Sequence, residues 1–366
     1  MVRSSALLGV LLLMLGGLLA GCSDSDATQF SVSWASDGSD TEAAVVYDKA
    51  RVAGMTFDAR NPHSEEDIDR LQDLGVTHLT VIPFGFQQTV DTPSIRMNTD
   101  ARWYSESDAG IREIAQQLDA RGMHLIIKPH IWVGEYSAEG QNRKDIGFDS
   151  PQEWEEWEAQ YHRFIMHYAE LARETDAAML VVGTELARAV HEREHFWRAL
   201  IDDVRKVYDG RLTYAGNWHG EYDTIPFWDA LDYIGVQGYF PLADEEDPSV
   251  ADLKQGWDEH VAELRNVAES VQRPVLFTEI GYRSVHYAAE RPWAWPQRGQ
   301  ANEVDPDEAL QARLYQAYFE RFEDEPWLAG SIWWKWKPDG QGDRPLGFTP
   351  QDKLAETVLR SGFNRR

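Results

Sequence analysis

The chain has 366 residues, and 62 acidic against 35 basic side chains leave a net charge of −27. That excess repels phosphate backbones and acidic lipid surfaces, so nucleic acid is not expected as a partner. A lone cysteine, Cys22, excludes any internal disulfide, and stability must come from packing.

Residues 1–21 read as an address rather than as fold. Arg3 supplies positive charge, Ala6 to Ala20 supply an apolar run that is short for a membrane span, and Leu19-Ala20-Gly21-Cys22 has the form of a bacterial lipobox. Cys22 is then the expected lipidation site and membrane anchor. Ser23 behind it resembles outer-membrane sorting signals, which implies a place in the bacterial cell envelope, periplasmic or surface-facing. Residues 22–43 carry repeated Ser, Asp and Gly, too polar to bury a core, and read as a flexible tether. Residues 44–366 are expected to form a single domain, monomeric, since about 320 residues suits one α/β barrel.

Short apolar runs then alternate with long amphipathic segments, the pattern of parallel strands joined by crossover helices. The predicted strands are Val52–Phe57, His78–Pro83, His124–Lys128, Ala178–Val182, Leu212–Ala215, Tyr233–Gln237, Pro274–Thr278 and Gly330–Trp334. Helix starts are signalled by Ser64-Glu65-Glu66-Asp67, Ser150-Pro151-Gln152-Glu153, Asp305-Pro306-Asp307-Glu308 and Thr349-Pro350-Gln351-Asp352. From Trp154 to Ala172 apolar residues recur at spacings of three and four, which assigns that aromatic stripe to the core. Eight strand and helix pairs predict an α/β fold closed as a (β/α)8 TIM barrel.

Barrel enzymes carry their chemistry at the C-terminal strand ends. In order, those ends offer Asp58 and Arg60; Phe84 to Gln88; Lys128, His130 and Trp132; Thr184 and Glu185; Asn217, Trp218 and His219; Tyr239; Glu279, Tyr282 and Arg283; and Trp334 with Trp336. Glu185 and Glu279 each end an apolar strand, where a charge is costly without a function or a partner. An ion pair with Arg60, Lys128 or Arg283 would account for either Glu alone as well as catalysis does. Two of them, on strands four and seven, lie across the mouth from each other, and about 5 Å between carboxyl groups suits retaining glycoside hydrolysis. Glu279 is then the expected nucleophile and Glu185 the acid/base, kept protonated by the neighbouring negative charge. No metal or other cofactor is needed for that reaction.

Several stretches make the likeness specific: Lys128-Pro129-His130, Val182-Gly183-Thr184-Glu185-Leu186, Phe227 to Gly235, Phe277 to Ser284, and Trp333-Trp334-Lys335-Trp336. Through them the chain from Val52 to Leu359 resembles glycoside hydrolase family 113, a β-mannanase family among the retaining barrel hydrolases. The resemblance implies Glu185 as acid/base, Glu279 as nucleophile, Tyr239 beside the nucleophile and Trp334 or Trp336 under the reacting sugar. It also implies a β-linked polysaccharide or oligosaccharide substrate, with β-1,4-mannan the best match. Thr184 departs from the wider clan, which places Asn before the acid/base. Asn217 and His130 are the candidates to supply the missing contact to the sugar 2-hydroxyl.

Two other readings compete. A barrel that only binds sugar would need no pair of carboxylates at its mouth. His191-Glu192-Arg193-Glu194-His195 matches the short H-E-x-x-H pattern of zinc peptidases, although its charged middle suits a solvated helix face better. His162 and His167 stand five apart, on different faces of their helix. The long connection from Arg283 to Val304, with Pro292, Trp293, Trp295 and Pro296, is a candidate cover for the sugar cleft.

Overall fold

A computed structural model describes residues 51–100, 102–134, 140–295, 304–338 and 345–365. The address segment, Cys22, the tether and Pro296 lie outside them. In chain order the elements are β1 (Val52–Phe57), α1 (Glu65–Asp73), β2 (His78–Val81), β3 (Phe84–Gln87), β4 (Ile95–Met97) and α2 (Asp108–Asp119). There follow β5 (His124–Ile127), β6 (His130–Val133), α3 (Pro151–Glu174), β7 (Met179–Thr184), α4 (Ala187–Glu192), α5 (Glu194–Arg205) and β8 (Arg211–Asn217). The last are β9 (Ile234–Gln237), α6 (Val250–Val271), β10 (Val275–Ile280), α7 (Glu308–Phe322), β11 (Leu328–Trp336) and α8 (Leu354–Phe363).

Strands β1, β2, β5, β7, β8, β9, β10 and β11 pair in parallel and close into a ring, the expected (β/α)8 barrel. Alternation along each strand sorts side chains between two cores. In β7, Met179 and Val181 join Val52, Ile126, Ala215, Leu276 and Ile332 in a small cluster inside the ring. Leu180 and Val182 join the larger cluster between ring and helices. The aromatic stripe of α3 belongs to that outer core, with Trp157 stacked on Tyr161 at 4.8 Å.

Local chemistry explains the element ends. Ser150 and Glu153 cap each other reciprocally at the start of α3, and Ser64 with Asp67 does so at α1. Two predicted starts are corrected. Asp307, not Asp305, caps α7 by accepting the Leu310 N–H at 2.8 Å, while Pro306 pairs across a β-bridge with Val285. Near the C-terminus Thr349 donates to the Gln351 side chain at 2.8 Å, and α8 begins only at Leu354.

The expected strands two and three also need revision. Pro83 and Pro129 lack an N–H to continue the ladder, so each strand stops before its proline. It then resumes as β3 or β6, and with β4 these build a separate three-stranded sheet. The fifth strand and helix pair is incomplete as well. Between β8 and β9 lies only a short 3-10 turn at Trp228–Ala230.

The approach of β11 to β1 requires a glycine. Gly330 of β11 lies against Val52 of β1 with φ at 137°, and a Cβ there would stand 2.2 Å from the Val52 carbonyl oxygen. By contrast Gly122 has φ at 65° with open space around it. Gly330→Ala should cost about 3 kcal/mol or more of folding stability, and Gly122→Ala only about 1 kcal/mol. Urea unfolding of the two variants checks this, and equal losses would refute the closure argument.

Candidate active site

The upper half of the lumen is polar. Continuing the alternation of the inner cluster, Lys128, Asn217, Gln237 and Thr278 all fall on the inner face of the ring. Strict alternation from Leu276 and Thr278 would turn Glu279 outward. A register shift between β10 and β9 at Phe277/Glu279 re-aims it into the site. A similar shift between β7 and β8 at Val181/Thr184 precedes Glu185.

Glu279 is 5 % exposed and lies within β10 rather than just after it. Lys128, with no exposed surface, donates from Nζ to Glu279 Oε1 at 2.6 Å, to Gln237 Oε1 at 2.8 Å and to the Thr278 carbonyl at 3.1 Å. Three acceptors for three N–H bonds suit a charged ammonium. Tyr239 donates its hydroxyl to Glu279 Oε2 at 2.9 Å. Burial works to raise the Glu279 pKa, but the charge and hydrogen bond of Lys128, helped by Gln237 and Tyr239, hold it below its ordinary value. Burial pulls Lys128 down against the opposing pull of Glu279. The Tyr239 hydroxyl, raised by burial and then by Glu279, stays protonated as a donor.

Glu185 has a different setting. Its backbone is left-handed, with φ at 50°, a strained conformation for any residue with a side chain. The strain is held in place by two bonds: the Glu185 N–H donates to the Ala215 carbonyl at 2.9 Å, and the Leu186 N–H donates to the Tyr214 hydroxyl at 2.6 Å. Asn217 donates from Nδ2 to Glu185 Oε1 at 3.0 Å, and Arg143 donates from its guanidinium to Oε2 at 2.5 Å. Behind them sits buried Glu221, accepting from the Tyr214 hydroxyl at 2.6 Å and the Asn217 N–H at 2.7 Å. Burial pushes the Glu221 pKa up to about 7, the two donors working against it. One carboxylate therefore ties together the residue that touches Glu185 and the one that fixes its backbone.

His130 completes the floor. Its Nε2 is buried 3.9 Å from Glu279 Oε1 and has no hydrogen-bond partner among the described residues, nor has the buried Thr184 Oγ1. Burial, then Arg143 and Lys128, hold its pKa well below the ordinary value, so the imidazole is neutral. The arrangement is asymmetric: an anionic carboxylate backed by an ammonium, and a second carboxylate whose oxygens contact a guanidinium and an amide. Arg143 and Lys128 each act electrostatically on both carboxylates, so the two share one neighbourhood.

The other predicted contacts divide. Lys128 lies beneath Glu279, not on an open surface. Tyr282 is a correction, being fully buried in the outer core with its ring 6.4 Å from Tyr315. Trp336 is another: it too is fully buried, under the Arg70 guanidinium of α1 at 4.9 Å. Trp334 is the half-buried tryptophan of that strand end, joined to Lys335 by a cis peptide. Arg283 is buried, bonded to the Leu346 carbonyl at 3.0 Å and covered by the Trp295 ring at 4.0 Å. Arg60 lies over Trp103 at 4.5 Å, and Trp218 stacks on Trp293 at 5.2 Å. Asp58, also at the mouth, pairs with Lys335. Burial and then Asp58 push the nearby Glu106 up to about 7.

The zinc motif does not assemble. The helix breaks at Arg193, which bonds Glu158 at 2.5 Å, so His191 and His195 belong to separate helices. Among the described residues no group of three or more His, Cys, Asp or Glu could hold a metal ion. His162 pairs with Asp203 at 2.9 Å and His167 with Asp108 at 3.0 Å.

Sequence reasoning missed Arg143, Gln237 and Glu221. Gln237 ends the apolar run Ile234–Val236 and carried the same signal as Glu185. Arg143 opens a single 3-10 turn, Arg143–Asp145, ten residues past the end of β6, where no periodicity marks it.

The model of Glycoside Hydrolase Family 113 matches residues 52–344. Among solved structures the chain is similar to a β-1,4-mannanase of that family, at 26% identity and a TM-score of 0.71 over 86% of this chain and 99% of the other. It is likewise similar to the β-mannanase AaManA of Alicyclobacillus acidocaldarius in complex with ManMIm, at 28% identity and a TM-score of 0.72 over 86% and 98%. A family 5 subfamily 18 protein from Streptomyces cattleya, at 15% identity and a TM-score of 0.57 over 85% and 80%, shares the fold alone. No curated protein matches the sequence. A family match across most of its length, on a barrel of the same architecture, places the chain in glycoside hydrolase family 113 and makes it a glycoside hydrolase.

Proposed function

We propose that the protein hydrolyses β-1,4-linked mannan with retention of configuration, Glu279 acting as nucleophile and Glu185 as general acid/base. The observation that carries this reading is the division of labour around the two carboxylates. Lys128 and Tyr239 keep Glu279 anionic and aimed, as a nucleophile must be. Glu185 is bonded instead to the Asn217 amide and the Arg143 guanidinium. The β-mannanase neighbours support the choice of sugar.

In the first step a Glu279 oxygen attacks the anomeric carbon. The glycosidic C–O bond breaks, and the departing oxygen takes the Glu185 proton, leaving a glycosyl ester on Glu279. Water then attacks the same carbon, gives a proton to Glu185, and frees Glu279. Neutral His130 and Asn217 are the groups at hand for the sugar hydroxyls. Arg143 holds the Glu185 side chain in place between turnovers.

Three substitutions test the assignment. Glu279→Ala should lower mannan hydrolysis roughly ten-thousandfold and regain turnover with azide, releasing a mannosyl azide of inverted configuration. Hydrolysis that survives this substitution without azide would sink the nucleophile assignment. Glu185→Ala should abolish mannan cleavage yet spare the first step on a dinitrophenyl mannoside, whose leaving group needs no proton; equal losses on both substrates would count against the acid role.

Lys128→Met removes the cation that lowers the Glu279 pKa. The buried carboxylate then protonates at higher pH, so the acidic limb of the kcat/KM profile should move upward in pH, with about a hundredfold loss on that limb. An unmoved limb would contradict the role given to Lys128.

A further inference from the structure

One buried carboxylate has no step in the reaction proposed above. Glu221 is 1 % exposed, and among the described residues its partners are hydrogen-bond donors rather than cations. Burying a carboxylate without a counter-ion is costly, and burial is the first cause of its raised pKa. Such a group is retained where it does something for the site beside it.

The bonds around Glu221 suit the ionised form. The Tyr214 hydroxyl already accepts the Leu186 N–H at 2.6 Å, so its one proton goes to Glu221 Oε1, also at 2.6 Å. The Asn217 N–H can only donate, and it does so to Oε2 at 2.7 Å. Both carboxyl oxygens therefore accept, at lengths typical of bonds to an anion. An amide in the same place would turn an N–H against one of the two donors.

Each bond leads to Glu185 by its own route. Through Tyr214 the carboxylate reaches the Leu186 N–H, the link that follows the left-handed Glu185 backbone. The Tyr214 ring is wedged edge-on against Trp197 and Phe227, and so close to Gly183 of β7 that a Cβ there would stand 2.7 Å from it. Through Asn217 it reaches the Glu185 side chain. The Asn217 Oδ1 accepts the His219 N–H at 3.0 Å, which turns Nδ2 toward Glu185 Oε1, also at 3.0 Å. Taking Glu185 as the acid/base proposed above, we infer that Glu221 is a positioning residue of the reaction. Its anionic carboxylate, buried behind the site, fixes Tyr214 and Asn217 and through them aims Glu185 at the glycosidic oxygen.

Glu221→Gln keeps the shape and replaces one acceptor oxygen with a donor. It should lower kcat/KM on mannan on the order of a hundredfold, the scale of misaiming a catalytic group. On a dinitrophenyl mannoside, whose first step needs no acid, kcat/KM should stay within about threefold, while kcat and KM fall together because the attacking water still needs Glu185 as base. A damaged fold would instead lower kcat/KM on both substrates alike. Tyr214→Phe, which cuts one of the two routes, should show the same split to a lesser degree. Equal loss of kcat/KM on the two substrates overturns the inference, as does an unchanged rate on mannan. The substitution is then repeated in Glu185→Ala, where nothing is left to aim. Glu221→Gln should bring no further loss there, and an additional loss of about tenfold overturns the inference. Should Glu185→Ala alone weaken both substrates equally, the acid role fails, and the presence or absence of that additional loss still decides whether Glu221 acts through Glu185. A wild type inactive on every mannoside would sink the choice of sugar, and the same comparisons with β-1,4-glucan and a dinitrophenyl glucoside then decide Glu221 by the same outcomes.

Discussion

The ion pair between Lys128 and Glu279 is the interaction around which the upper barrel is arranged. Both groups are out of water, where each charge alone would be prohibitive and either one left unpaired would cost several kcal/mol, about 3 to 5. The surrounding lumen meets that demand with acceptors for the ammonium and donors for the carboxylate, drawn from β9, β10 and the residues beyond them. Gln237, Thr278 and Tyr239 are thus arranged around one buried charge pair. The apolar cluster below them keeps the barrel closed beneath the site.

Glu185 is held by a different logic. Its partners come from the loop after β6 and from β8, and its aim is set by main-chain bonds to β8 and by Glu221 behind. A nucleophile must remain charged and still, whereas an acid/base must exchange its proton twice per cycle. On the proposed roles, the buried ammonium beneath one carboxylate and the guanidinium and amide around the other match those two duties.

Much of this was legible in the sequence, because periodicity reports what faces the barrel axis. The apolar runs marked all the barrel strands, and the charged or polar residue ending a run marked Glu185, Glu279, Lys128 and Asn217. The same rule failed where alternation breaks. Trp336 ends β11 and Tyr282 follows β10 closely enough to suggest the mouth, yet both turn into the helix layer. Prolines hid the side sheet inside two apparent strands, and the gap after β8 was invisible because Phe227 to Leu231 has the composition of a helix without forming one. Arg143 and Glu221 reach the site through loop geometry, which leaves no periodic trace.

The left-handed backbone at Glu185 sets stability and activity against each other at a single codon. Every residue with a Cβ sits uneasily there, and glycine alone would relax the turn, so under the proposed acid/base role the change that makes the protein sturdier also makes it inert.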